Sequence, residues 1–133
     1  FDSALDAQFG DDLALLGFSQ QQLGSTLVIT PSWSVLQDRS GGIVSFVHVI
    51  DQTGQTIARI DAALDQGMFP SWQAGQKFDS PLPIALPFEQ SASAYRIVLG
   101  VYQPDGARLP LTKGRSLPID IDGPHVVELL PNN

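Results

Sequence analysis

Residues 43–51 run Ile43, Val44, Ser45, Phe46, Val47, His48, Val49, Ile50 and Asp51, and a turn through Gln52, Thr53 and Gly54 ends the stretch. Both alternating faces of this run are apolar: Val44, Phe46 and Ile50 on one, Ile43, Val47 and Val49 on the other. A strand that is apolar on both faces belongs inside a protein, between layers or under a covering loop. The stretch therefore marks the centre of a β-sheet core. His48 is its one ionisable side chain ahead of Asp51.

The rest of the chain reads as further strands joined by turns. Residues 95–102 place Tyr95, Ile97, Leu99 and Val101 inward and Arg96, Val98 and Gly100 outward. In 26–33, Leu27, Ile29 and Trp33 share one face with Pro31, while Thr26, Val28, Thr30 and Ser32 share the other. Pro31 has no N–H to give a ladder, which predicts an edge, a bulge or a strand end there. Residues 11–18 fit a strand or a short helix, and Gly17 favours the strand. Residues 55–60 read as a short returning strand and 61–66 as one helical turn before Gly67. Pro81, Pro83 and Pro87 make 77–88 extended but bar it from the middle of a sheet. Pro104, Asp105 and Gly106 form a tight turn, and runs at 116–121 and 125–130 close the chain around Asp122, Gly123 and Pro124. About eight strands at roughly ten-residue spacing predict one all-β domain, a two-sheet antiparallel β-sandwich of immunoglobulin-like or jelly-roll-like type, with its ordered core over about 9–129.

Composition supports strands and narrows the partners. The chain has 133 residues, enough to bury roughly two thirds of its unfolded surface without covalent staples. It has no cysteine, so disulfides and thiolate metal sites are excluded. A net charge of −7 arises from twelve Asp and two Glu against two Lys and five Arg. Asp favours turns and caps, whereas Glu and Lys favour helices. So acidic a surface argues against nucleic acid as a partner. No apolar run approaches the ~20 residues of a membrane span, and no signal-peptide pattern opens the chain. Its first residue is Phe1, as expected of a fragment or a processed product.

The search for catalytic motifs is mostly negative. There is no Gly-x-Ser-x-Gly elbow, P-loop, dinucleotide glycine pattern or His-Glu-x-x-His. Two histidines 77 residues apart without cysteine argue against zinc, and no cofactor is expected. A glycosidase-type carboxylate pair is a spatial feature, but each candidate Asp lies in or beside a turn, where capping and solvation account for it. Asp120, Ile121, Asp122 and Gly123 resemble the start of a calcium loop, yet Pro131 occupies the twelfth position, where an acidic residue should close it.

Three residues stand out as binding candidates: Trp72, Phe69 and His48. The loop 67–76 carries Met68, Phe69 and Trp72, unusually apolar for a loop. An exposed Trp72 face, extended by Phe69, suits the apolar side of a sugar ring. The competing and favoured reading has both rings fold back and plug the open end of the sandwich. His48 is either a core histidine satisfied by its neighbours or a ligand contact at a sheet face. Trp33 is core. Tyr95 suits a tyrosine corner, its hydroxyl bonded to nearby backbone.

Several segments together resemble one family pattern. Phe9-Gly10-Asp11 with Leu15-Leu16-Gly17-Phe18 is similar to a Phe-Gly-Asp…Leu-Leu-Gly-Tyr opening. Residues 27–33, then 46–51 with Gly54, then 95–102 with Pro104 follow in the family's order. The chain thus resembles, over about residues 9–129, the soluble C-terminal β-sandwich that follows the membrane helices in bacterial glycosyltransferases of the protein mannosyltransferase type. It departs from that pattern in a shorter loop, Phe69-Pro70-Ser71-Trp72-Gln73-Ala74-Gly75-Gln76, without the family's Glu. The resemblance implies an extracytoplasmic, non-catalytic accessory domain, tethered through a parent that uses a polyprenyl-phosphate sugar. Its partner would be carbohydrate or the parent's membrane domain. A free-standing carbohydrate-binding module and a structural or adhesion sandwich are the alternatives.

Overall fold

The computed structural model describes residues 1–65, 67, 69–87, 95–114 and 125–129, and these are strands and turns with no α-helix. The strands are β1 (Ser3–Phe9), β2 (Leu13–Leu23), β3 (Thr26–Val35), β4 (Arg39–Ser40), β5 (Val44–Asp51) and β6 (Thr56–Ala63). They continue as β7 (Ser71–Trp72), β8 (Lys77–Asp79), β9 (Leu82–Ala85), β10 (Tyr95–Tyr102), β11 (Leu111–Lys113) and β12 (Val126–Glu128). One sheet runs β11-β1-β2-β3, with β8 and β9 sharing the outer edge of β3. The second runs β12-β10-β5-β6, and β4 with β7 makes a small ribbon. The two larger sheets are antiparallel and bury one core between them, drawn from Phe9, Leu15, Leu27, Ile29 and Trp33 of the first and Val47, Val49, Ile97 and Leu99 of the second. The domain is the all-β sandwich that the strand spacing predicts.

The apolar run at 43–51 occupies the place its two faces require. β5 is an inner strand, paired with β10 without a break from Val44↔Tyr102 to Asp51↔Tyr95 and with β6 on its other side. Val47 and Val49 enter the main core, while Phe46 and Ile50 join Val98 and Val126 in a second cluster on the opposite face of the same sheet. Arg108 lies over that second cluster, its guanidinium 4.5 Å from the Phe46 ring centre and 5.1 Å from that of Tyr102. Arg96 and Glu128 join across the same face, through bonds of 2.7 and 3.2 Å. The Arg108 guanidinium thus sits on two aromatic faces, where the ring quadrupoles attract it.

Local chemistry explains the irregular places. The carbonyl of Pro31 accepts from Ser80 N–H at 3.4 Å, so its nitrogen also faces the outer edge of β3. There β8 has ended at Asp79 and β9 has not begun, and a missing donor costs no ladder bond. At the β5–β6 hairpin, Asp51 Oδ1 accepts from the Thr53 hydroxyl and from the N–H groups of Thr53 and Gln55. Those bonds, the Thr53 hydroxyl first, hold its carboxyl below the usual range. Gly54 completes the turn at φ +92°, a conformation that side chains oppose.

Four expectations need correction. The helical turn read at 61–66 is strand as far as Ala63, followed by a turn at Leu64 and Asp65; Gln66 lies outside the described residues. The loop 67–76 contains the short strand β7. β1 begins at Ser3, well before the expected start of the ordered core. The Tyr95 hydroxyl donates to the side chain of Gln22 at 3.2 Å, not to nearby backbone. The run at 116–121 and the calcium-like segment from Asp120 fall outside the described residues.

Gly100 offers a test of the second cluster. A Cβ there would stand 2.3 Å from the Phe46 ring and 2.8 Å from the carbonyl oxygen of His125. Gly100→Ala should cost about 1–3 kcal/mol through overpacking, seen as a lower urea midpoint at unchanged slope.

Candidate functional site

The segment from Leu64 to Ser80 crosses one end of the sandwich, and a single carboxylate organises it. Asp65 is buried, at 6% exposure. Its Oδ1 accepts from Gly67 N–H at 2.8 Å, and its Oδ2 accepts from Phe69 N–H at 3.0 Å and from the Trp72 indole N–H at 2.9 Å. Burial pushes this carboxyl up, but the Trp72 indole and the Phe69 and Gly67 amides outweigh it and hold the group below its ordinary value. Asp65 is therefore an ionised pin whose oxygens are already engaged. It is unsuited to carry protons for catalysis.

Further bonds stitch this cap to the loop that leaves β3. β4 and β7 pair Arg39 with Trp72 and Ser40 with Ser71. Gly41 N–H donates to Pro70 C=O at 3.0 Å, Ala74 N–H to Asp38 Oδ1 at 2.8 Å, and Val35 N–H to Gln76 C=O at 2.8 Å. A side chain at Gly41 would meet the Phe69 carbonyl oxygen at 2.5 Å, so only glycine lets the two segments pass this closely. The Ser80 hydroxyl donates to Leu64 C=O and ties the end of the cap to its beginning.

The three candidate residues part company. Trp72 is 1% exposed, its ring 5.0 Å from that of Phe78. The exposed-platform reading of Trp72 is thereby corrected: an indole with a buried N–H donor and no open face packs instead of stacking on sugar. Phe69 is 43% exposed, and its ring stacks on Phe78 at 6.5 Å and 28°. His48 lies elsewhere, half-buried on the outward face of β5. Its ring is 5.5 Å from that of Phe46, and its cross-strand neighbours are Val98 and Arg59. Phe69 and Trp72 share one site, and His48 is no part of it.

Phe69 stands as a ridge between two shallow depressions. One, of about 230 Å³, is lined by Asp65, Phe69, Lys77, Phe78, Asp79 and Ser80, with Leu64 at its floor. The other, of about 480 Å³, is lined by Phe69, Ser71, Gln73, Ala74 and Gln76. An apolar ring flanked by amides, hydroxyls and, besides the engaged Asp65, one exposed charge of each sign in Lys77 and Asp79 can stack on a ligand's apolar face and bond to hydroxyls around it. Among the described residues, no group of three or more His, Asp or Glu side chains is placed to hold a metal ion.

Sequence reasoning located the loop and missed its organiser. Asp65 two residues before Gly67 is an Asx-turn signature, and the expected helical turn concealed it. Lys77, Asp79, Gln73 and Gln76 carry no motif that would single them out. No known family profile matches the chain, and no curated protein matches its sequence.

Two outcomes follow for the pin. Asp65→Asn should lower stability at neutral pH by about 1.5–3 kcal/mol, since a charge-assisted acceptor is lost in a buried place. Because the folded pKa is depressed, the stabilisation is complete above the unfolded value near ~4 and disappears as pH falls through the folded value. The gap between wild type and Asp65→Asn in urea titrations should therefore narrow on acidification below about pH 4. Trp72→Ala should cost about 3–5 kcal/mol, as expected for a large buried ring.

Proposed function

We propose that this sandwich is an extracytoplasmic accessory domain of a membrane glycosyltransferase, and that it positions carbohydrate at the cap without transforming it. The observation that carries the binding half is Phe69. Its ring is exposed beside polar depressions although the cap beneath it is rigidly built. Two anchors hold it: its own N–H is bonded to Asp65, and its ring rests on Phe78. An aromatic ring fixed in advance loses little freedom on binding, which favours contact with a weakly held, hydroxyl-rich ligand. The accessory half rests on the resemblance of segments 9–18, 27–33, 46–54 and 95–104 to the sandwich that follows the membrane helices in such enzymes.

Chemistry at the cap suits the same conclusion. Asp65 is committed to three N–H donors, so Lys77 and Asp79 remain the charged groups at the rim. Both are exposed, with strong hydration to lose on contact. Neutral hydroxyls, which exchange one hydrogen bond for another, fit this rim better than a strongly charged ligand does. The same geometry serves a free-standing carbohydrate-binding module, and the state of the native protein separates the two. An immunoblot of fractionated source cells should show a membrane-bound band far heavier than 14.3 kDa, cleavable from outside. A soluble band of this domain's own mass would leave the accessory reading without support.

Binding itself is testable by amide NMR with a panel of mannose- and glucose-containing oligosaccharides. Shifts should concentrate at 69–79, and Phe69→Ala should weaken binding roughly tenfold or more while changing the melting temperature little. Shifts located elsewhere, or affinity indifferent to Phe69, would count against the cap.

A further inference from the structure

The open edge of β6 is self-complementary. β6 is the last strand of its sheet and pairs only with β5 among the described residues. Leu64 N–H donates to Ile43 C=O at 3.1 Å, and with the β5–β6 register this makes Ser45–Ala62, Val47–Ile60 and Val49–Ala58 the hydrogen-bonded pairs. The N–H and C=O groups of Arg59, Asp61 and Ala63 therefore point away from β5, to a side where no described strand pairs with them, while β9 of the facing sheet runs close to β6. A row of backbone groups without a ladder partner among the described residues is a template for another strand. The side chains along it fit the same purpose. Arg59 and Asp61 are exposed on one face, while Ala58, Ile60 and Ala62 are only half-buried on the other, packed at the margin of the core.

We propose that two copies of this chain join β6 to β6, antiparallel, about a twofold axis at Ile60, so that one sheet continues from a protomer into its partner. In that register Arg59 lies opposite the partner's Asp61, and Asp61 opposite the partner's Arg59. Each of these pairs consists of residues whose backbone groups face outward, so each also closes ladder bonds. Moving the axis to Arg59 sets arginine against arginine, and moving it to Asp61 sets aspartate against aspartate. Registers between these oppose an outward-facing residue to an inward-facing one and forfeit the ladder. Charge and hydrogen bonding thus select the same alignment, with backbone bonds supplying attraction and the ion pairs supplying register.

Two details are consistent with that alignment. Tyr102 O–H donates to Asp61 Oδ2 at 2.8 Å, which orients the carboxylate on its face and leaves Oδ1 for an arginine. Arg59 itself has no ion-pair partner among the described residues. The register slip between Val49 and Ile50 makes Ile57 a bulged residue turned to the core, so the shared ladder runs from Ala58 onward.

Analytical ultracentrifugation of the full chain tests this. Wild type should pass with concentration from 14.3 kDa to twice that mass. Arg59→Asp sets two aspartates against two and should weaken self-association about tenfold or more; Asp61→Arg should do the same with arginines. Mixing those two variants should form a heterodimer, and the exchange of both residues in one chain should restore the homodimer. Circular dichroism melts establish that each variant is folded. Asp61→Arg also deprives Tyr102 of its acceptor, so if that variant misfolds, Arg59→Asp alone decides. A wild type that stays monomeric at every concentration, or a dimer indifferent to Arg59→Asp, overturns the proposal.

Discussion

A sheet that is apolar on both sides must be covered on both sides, and the architecture follows from meeting that demand. β5 and β10 pair over their whole length in the middle of the four-stranded sheet. Their inward side chains meet the six-stranded sheet, and that contact defines the sandwich. Their outward side chains gather as Phe46, Ile50 and Val98 with Val126 of β12, beside the guanidinium of Arg108 over Phe46. Leaving four such side chains in water would forgo roughly 1.5–3 kcal/mol each, comparable to the whole margin by which a small domain stays folded. Gly100 belongs to the same demand, since Phe46 occupies the space a side chain would need.

The cap solves a different problem, the open end of a sandwich. Its residues are not all apolar, so packing alone cannot hold them. Asp65 supplies what packing lacks. One buried carboxylate gathers three N–H donors from within seven residues and turns an irregular segment into a fixed one. That arrangement buries Trp72 and presents Phe69. The two aromatics are three positions apart and have opposite fates: Asp65 holds Trp72 by its indole N–H, inside, and Phe69 by its backbone N–H alone, which leaves that ring at the surface.

The long, strongly patterned strands were legible in the chain, and the short or weakly patterned elements were not. β5 and β10 each carry β-branched or aromatic residues at five of eight positions, and β3 alternates cleanly, with Pro31 on its inward face. β1 escaped because two of its four inward positions, Ser3 and Ala7, are small or polar and carry little strand signal, although its burial alternates cleanly with Leu5 and Phe9. β6 was read too short because Asp61, Ala62 and Ala63 have weak strand preference of their own and are held by their pairing with β5. At the site, the loop and its apolar character were legible. Which of its rings faces water was not, since that depends on where Asp65 lies in space.

What the chain determined by itself is therefore its class: strands with two-sided burial, turns marked by Gly, Pro and Asp, and an acidic surface without thiols. These are properties of short stretches, governed by periodicity of two and by backbone preferences that act within a few residues. Only the tertiary structure decided that Trp72 is sealed and Phe69 exposed, that His48 stands apart from both, and that β6 ends its sheet, paired only with β5 among the described residues. Those outcomes depend on residues far apart in sequence arriving at the same place, where burial and hydrogen bonding are settled jointly and no local pattern can anticipate them.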